Sequence, residues 1–293
     1  MTIRTRFAPT PSGFLHWGNA FSFVLTWLYA RKHGGEILLR IDDLDSLRKR
    51  PEHVQDVFRS LEWLELDFDL GPSGPDEFEA KYSQRHRMEL YQARLSELRE
   101  QARLFGCRCS RSSIRRSRDS RHPSSCVTEQ HDMEQTDVAW RVQTEHETVQ
   151  WTDLDGEPRK VSLHAAMRDF VVRKKDGSPA YQVASLVDDE HFDINLIVRG
   201  EDLVDSSAAQ RFLAAQGNGE SSFIVTSLVH HRLVANEQGE KLSKSSGATS
   251  LESMREEQPT SALLYQRMSP MLGLSEPVSS AAEALAAWSP KTT

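Results

Sequence analysis

Residues 19–33 carry apolar side chains on almost every face of the helix they would form. Phe21, Phe23, Val24, Leu25, Trp27 and Leu28 leave no polar stripe for water. A helix of this kind has to be covered all round. Gly34-Gly35 supplies its stop. Residues 2–7 alternate polar and apolar side chains as a strand does, and Glu36–Ile41 reads as the next strand. Strand, buried helix and strand in about forty residues make a βαβ unit, which commits the chain to a parallel sheet.

Further along, Pro51 opens a helix with Val54, Val57, Phe58 and Leu61 on one face. Gly71 to Pro75 is a turn-rich break. Met88, Tyr91, Leu95 and Leu98 place a helix over 84–101. Residues 102–165 change character: they hold every cysteine, an Arg/Ser-rich stretch and short strand-like pieces such as Val138–Val142. They read as an insertion. Sheet strands are expected again at Phe170–Arg173, Tyr181–Val187 and Ile194–Val198, with Lys175-Asp176-Gly177 as a hairpin turn between the first two. A helix over 206–215 and a strand at Phe223–Val229 follow, and the tail reads as helical. The expected class is α/β, a Rossmann-like parallel-sheet nucleotide-binding domain with a zinc-containing insertion and a short helical C-terminal segment. Its expected divisions are 1–101 and 166–235 for the two halves of the sheet domain, 102–165 for the insertion and 236–293 for the tail.

The 293 residues contain no apolar run near the roughly 18 that a membrane span needs. The N-terminus lacks a basic segment followed by an apolar core, so a cytoplasmic protein is expected. Net charge is −7, so a nucleic-acid partner would need a local basic patch. Nothing in the sequence demands more than a monomer.

Two short strings carry the chemistry. Pro11-Ser12-Gly13-Phe14-Leu15-His16-Trp17-Gly18-Asn19 is a turn that opens the first helix. Backbone N–H groups and the positive helix end there can hold an anion. His16 adds a donor, and Gly18 lets a nucleotide come close. Lys241-Leu242-Ser243-Lys244-Ser245 follows the last expected strand. Alone, each has a plain alternative, a turn histidine or a solvated lysine run. Their pairing across one sheet domain points to a single nucleotide site.

These strings resemble the HIGH and KMSKS signatures of class I aminoacyl-tRNA synthetases, and the chain is most similar to the glutamyl branch. Arg6-Phe7-Ala8-Pro9-Thr10-Pro11-Ser12-Gly13, Leu39-Arg40-Ile41-Asp42-Asp43-Leu44-Asp45, Tyr181, Val187-Asp188-Asp189 and Val198-Arg199-Gly200-Glu201-Asp202 carry the likeness, which spans residues 4–250. The resemblance implies ATP-dependent activation of glutamate, with Mg²⁺ accompanying the ATP. It implies that His16, Lys241 and Lys244 are catalytic, and that Gly18, Asn19 and Ser243 join them in holding ATP. Arg6, Ala8, Thr10, Asp42, Tyr181 and Arg199 would line the glutamate pocket. The family has Glu where this chain has Asp42, one methylene shorter. The alternative for Asp42 is a strand-end carboxylate in an arginine network.

Cys107-x-Cys109, twelve residues, then His122-x-x-x-Cys126 gives four ligands suited to tetrahedral Zn²⁺. Four protein ligands leave no open position, so the metal would be structural. The alternative is three reduced cysteines and a surface histidine. Arg108, Arg111, Arg115, Arg116, Arg118 and Arg121 surround the cluster with only Asp119 opposing. They form either a phosphate-contact surface or a solvated loop. Among glutamyl-branch paralogues, the glutamyl-Q tRNA(Asp) synthetases carry a similar cluster, with Tyr at the position of His122. The family's anticodon reader lies after the lysine string, where this sequence has only about fifty residues. The resemblance therefore implies transfer of glutamate to the queuosine base in the anticodon stem-loop of tRNA(Asp). Two alternatives stand beside it. One is transfer to another acceptor, such as a tRNA 3′ end, a carrier protein or a small amine. The other is a non-catalytic RNA-binding paralogue.

Overall fold

The computed structural model describes residues 2–45, 47–116, 122–123, 125–129, 131–217, 221–233 and 250–290. The chain opens with β1 (Arg4–Phe7), α1 (Trp17–Lys32) and β2 (Glu36–Leu39). β1 and β2 pair in parallel from Arg4↔Glu36 to Phe7↔Leu39. α1 ends in a Schellman turn: Gly34 takes φ +62°, and the Gly35 N–H returns to the Ala30 carbonyl at 2.8 Å. Buried positions run round every face of α1 from Ala20 to Ala30.

Helices α2 (Pro51–Trp63) and α3 (Met88–Gln101) follow. Then come β3 (Leu104–Cys107), β4 (Ala139–Val142), β5 (Thr148–Thr152), β6 (Pro158–Ser162) and β7 (Val171–Arg173). β3, β4 and β7 form one antiparallel sheet, and β5 and β6 form a separate hairpin. The second half contributes α4 (Tyr181–His191), β8 (Leu196–Gly200), α5 (Val204–Ala214) and β9 (Ser227–His231). β8 and β9 are again parallel. Asn195 sets β8 beside β1: its N–H donates to the Arg4 carbonyl at 3.0 Å, and its Oδ1 accepts the Arg4 N–H at 2.8 Å. Three helices close the described chain, α6 (Leu251–Glu257), α7 (Ala262–Met268) and α8 (Ala281–Ala287). α8 covers the outer side of α1, where Trp288 meets Tyr29 edge-on at 4.9 Å.

Three expected strands are corrected. Tyr181–Val187 is the first part of helix α4. Polar Gln182, Ser185 and Asp188–Asp189 recur at helical spacing with Val183-Ala184 and Leu186-Val187 between them, so the helix has a sequence period even though every one of these positions is buried. Phe170–Arg173 does give strand β7, but it pairs antiparallel with β4 of the cysteine-containing sheet. The Lys174–Gly177 turn leads into α4 rather than into a second sheet strand. Phe223–Val229 splits into a 3₁₀ turn, Ser222–Val225, and the strand that starts at Ser227.

The backbone after α2 passes close under β2. Gly71 has φ +117°, and a Cβ there would stand 2.5 Å from the Leu39 carbonyl oxygen. Gly71→Ala is therefore expected to lower the unfolding free energy by at least about 2 kcal/mol, from overpacking and backbone strain together. A urea midpoint equal to the parent's would contradict this.

Candidate active site

The turn before α1 is built around His16. It is the helix N-cap: its Nδ1 accepts the Gly18 N–H at 3.1 Å, and Asn19 Oδ1 accepts the His16 N–H at 3.0 Å. This capping box fixes the ring. Because Nδ1 accepts, the ring proton sits on Nε2 and makes that nitrogen a donor. A Cβ on Gly18 would lie 3.1 Å from the His16 ring, so glycine is what leaves the ring its place. The chain returns here after residue 249: Ser250 bridges to His16, and the Leu251 N–H donates to the Leu15 carbonyl at 2.8 Å.

Beside this turn lies a cleft of about 500 Å³. Arg6, Ala8 and Thr10 line it from the β1 end, His16, Gly18 and Asn19 from α1, Tyr181 from the start of α4 and Arg199 from β8. Every described residue expected to hold ATP lines it, as do five of the six expected for glutamate. The exception is Asp42. Lys241, Ser243 and Lys244 lie outside the described residues. The segment that contains them leaves from Leu233, which also lines the cleft.

Arg199 is the chemical centre of this cleft. It is 4% exposed, and its Nη1 donates to Gln210 Oε1 at 3.0 Å. Its Nε and Nη2 have no partner among the described residues. Burial, with Arg6 nearby, drags the guanidinium down to about 10. A buried cation with two unused donors in a fork is a receptor for a carboxylate. Arg6 is not equivalent, because its Nε is committed to Asp189 Oδ1 at 2.9 Å.

Asp42 lies in an arginine network. Arg40 grips it with two bonds, Nε to Oδ1 at 2.7 Å and Nη2 to Oδ2 at 3.0 Å. Arg40 also reaches Asp189 at 2.8 Å, so Asp42, Arg40, Asp189 and Arg6 form one buried chain. Burial pushes the Asp42 carboxyl up to about 6, against the pull of Arg40. The neighbouring Asp188 is held below the usual range: burial opposes its ionisation, but Arg87 and Arg40 outweigh it. Asp42 faces a second cavity of about 760 Å³, which shares Thr10 and Tyr181 with the first and also takes in Cys109, Ser110, Arg141 and Lys174.

The four expected metal ligands converge. The ligand atoms of Cys107, Cys109, His122 and Cys126 all lie within 4.8 Å of one another. Cys107 Sγ is 3.2 Å from His122 Nε2, and Cys109 Sγ is 3.3 Å from Cys126 Sγ. A tetrahedral site with zinc–sulfur bonds near 2.3 Å separates its ligands by about 3.8 Å, so the set fits the ion. His122 Nδ1 stands 3.4 Å from Asp169 Oδ2, the outer carboxylate that orients such a ligand. Burial notwithstanding, the hydrogen bond from His122 brings the Cys107 thiol down to about 6. Among the arginines around the cluster, Arg118 and Arg121 lie outside the described residues.

Two contributors to the cleft were not legible in the motifs. His231, at the end of β9, reaches Ser22 Oγ with its Nε2 at 2.7 Å, and burial pushes its pKa down. Asp202 is the one carboxylate among the cleft's described lining residues. It ends the Val198–Asp202 string, but nothing in its spacing assigns it a role.

Comparison with known proteins places these features in a family. The family described as tRNA synthetases class I (E and Q), catalytic domain, matches residues 2–269. A glutamyl-Q tRNA(Asp) synthetase of Symbiobacterium thermophilum is 36% identical over 268 residues, 85% of this chain and 80% of that protein. A glutamate–tRNA ligase 2 of Syntrophus aciditrophicus is 34% identical over 86% of this chain, which spans 54% of the relative. A second glutamate–tRNA ligase 2, from Sphingopyxis alaskensis, is 35% identical over 95% of the chain and 61% of its own length. The crystal structure of a glutamate–tRNA synthetase from Elizabethkingia anophelis superposes with a TM-score of 0.75 at 22% identity, covering 100% of this chain and 67% of that one.

Proposed function

Because the chain belongs to the class I tRNA synthetases of the glutamate and glutamine type, with their catalytic domain, we propose that it activates glutamate with ATP and passes the glutamyl group to the queuosine base of tRNA(Asp). The observation that carries the amino-acid half is Arg199, buried in the cleft with two donors that have no partner among the described residues. A carboxylate would accept both. A glutamine amide would turn its own NH₂ against one of them, so the fork favours glutamate over its neutral isostere.

Activation joins an α-carboxylate oxygen of glutamate to the α-phosphorus of ATP, and the bond to pyrophosphate breaks. Negative charge spreads over the phosphate oxygens as this happens. The positive end of α1, with the His16 ring fixed over it by the capping box, would offset that charge. Lys241 and Lys244 would add two cations from the segment that begins and ends beside the cleft. Mg²⁺ would supply countercharge chiefly on the phosphates, with Asp202 as the carboxylate that could join them. Zn²⁺ would be held by Cys107, Cys109, His122 and Cys126 and would order the wall of the second cavity.

The name of the Symbiobacterium relative supports queuosine as the acceptor. The two glutamate–tRNA ligase 2 relatives, at nearly the same identity, favour a tRNA 3′ end instead. Labelled glutamate offered to tRNA(Asp) with and without queuosine, and to tRNA(Glu), separates the two. Label on tRNA(Glu) alone would sink the queuosine reading. Activation is tested earlier in the reaction, by glutamate-dependent ATP–pyrophosphate exchange without tRNA. Lys244→Ala is expected to cut that exchange by at least about tenfold; near-normal exchange would remove the lysine from the phosphate site.

A further inference from the structure

Behind Arg199, outside the cleft, three buried side chains form a continuous hydrogen-bonded chain. His230 Nδ1 meets both oxygens of Asp153 at 2.9 Å, and His230 Nε2 meets Ser207 Oγ at 2.7 Å. Ser207 is 0% exposed, Asp153 3% and His230 4%. The same three groups activate a nucleophile in hydrolases. Here the serine oxygen is sealed inside α5, also 3.0 Å from the Leu203 carbonyl, and no substrate can reach it. The chain has to do something other than attack.

Its placement shows what that is. His230 on β9 is the register partner of Arg199 on β8. Ser207 and Gln210 stand three residues apart on α5, so they share one helix face. Ser207 holds His230, and Gln210 holds Arg199 Nη1 at 3.0 Å. The distance at which α5 rides over the sheet therefore fixes where Gln210 presents its oxygen, and so where the Arg199 fork points. At the far end, Asp153 is anchored at the tip of the β5–β6 hairpin by Trp151 Nε1 at 2.7 Å and Arg159 Nε at 2.8 Å. The hairpin is tied to the sheet as well, by the Leu154 N–H to the Leu228 carbonyl at 2.7 Å.

We propose that Asp153, His230 and Ser207 are a positioning relay that sets the Arg199 guanidinium in the amino-acid cleft, so that the β5–β6 hairpin takes part in glutamate selection from outside it. The inference rests on the glutamate reading above. Asp153 accepts from Nδ1, and Nε2 meets a Ser207 hydroxyl whose single proton also has the Leu203 carbonyl within reach at 3.0 Å. The Asp153–His230 link thus has one direction, and Ser207 ties the ring to α5 whichever acceptor takes its proton. The Arg159–Asp153 ion pair adds the charge that keeps Asp153 an acceptor only.

Ser207→Ala and Asp153→Asn, singly and together, test it in the full chain by ATP–pyrophosphate exchange. Each single variant is expected to raise the KM for glutamate at least about fivefold while the KM for ATP stays within about twofold. The double variant should exceed the worse single by less than about twofold, because both cut the same chain. A glutamate KM within about twofold of the parent in both singles overturns the proposal. So does a parallel rise in both KM values, or independent multiplication of the two effects. A crystal structure of Ser207→Ala reads the relay without any activity: a displaced Arg199–Gln210 pair supports it, and a pair still at 3.0 Å refutes it. Absence of exchange by the parent protein with any amino acid would instead strike the functional reading, and the crystal structure would still judge the relay.

Discussion

Arg199→Met is expected to lower kcat/KM for glutamate by on the order of 10²–10³ while leaving the unliganded protein no less stable. The size follows from what is removed. A carboxylate bound by a buried, bidentate guanidinium loses about 2–5 kcal/mol of interaction when the cation is truncated, and about 1.4 kcal/mol is tenfold. The stability side runs the other way, because Arg199 has no carboxylate partner among the described residues and burial holds it down to about 10. A cation whose folded pKa is depressed costs the folded state its full penalty at every pH below that value. The penalty fades only as pH rises from about 10 toward the ordinary arginine range. At neutral pH it amounts to roughly 3 kcal/mol, since one pKa unit is about 1.4 kcal/mol. Met removes it but strips Gln210 Oε1 of its donor, which costs about 1–3 kcal/mol. The two nearly cancel, so the variant should melt within a few degrees of the parent. Added glutamate should raise the parent's melting temperature and leave the variant's unchanged. A large fall in melting temperature would mean that Arg199 has a partner in the unliganded protein. Unchanged kcat/KM would remove it from the site.

What the sequence made legible follows the range over which its signals act. The βαβ opening could be read because α1 and its glycine stop are local, and because a helix apolar on all faces admits few environments. The four metal ligands could be read because soft ligands within twenty residues have few other uses. Tyr181–Val187 carries a helical signal, with polar Gln182, Ser185 and Asp188 three apart, but over so short a run it competes with the strand preference of its valines. Asp42 is ambiguous in a different way. Its place in a family string suggested an ammonium partner, while the geometry gives both its oxygens to Arg40 only two residues away. His230 and Asp153 are 77 residues apart, and Ser207 is 23 from His230. No spacing rule joins them, because the contact exists only once the hairpin has folded onto the sheet. Tertiary placement decides such residues, and a single sequence does not display it.

Removal of zinc is expected to unfold one end of the antiparallel sheet and leave the other standing. The residues around the four ligands form a very small core, Phe105 with Cys107 and Cys126, flanked by Cys109 and Val127. Three buried side chains supply only about 5–8 kcal/mol by apolar burial. A structural Zn²⁺ would contribute about 10–16 kcal/mol, and the cysteine turns would then depend on it. β4 and β7 do not, because Trp140, Val142, Phe170 and Val172 belong to the larger core with α3 and α4. After chelation, hydrogen exchange should therefore become fast at Phe105–Cys107 and Cys126–Glu129 and stay slow at Val142 and Val172. His122→Ala should give the same pattern and a lower zinc content. The functional consequence is split in the same way. None of the four ligands lines the cleft that holds His16 and Arg199, whereas Cys109 and Ser110 line the second cavity. Chelated protein should then keep ATP–pyrophosphate exchange within about threefold of the untreated enzyme and lose at least about tenfold in transfer to tRNA. Slow exchange throughout after zinc is gone would show that the thiols and Asp169 suffice without a metal. Equal loss of both activities would show that the metal supports the whole fold rather than the wall of the second cavity.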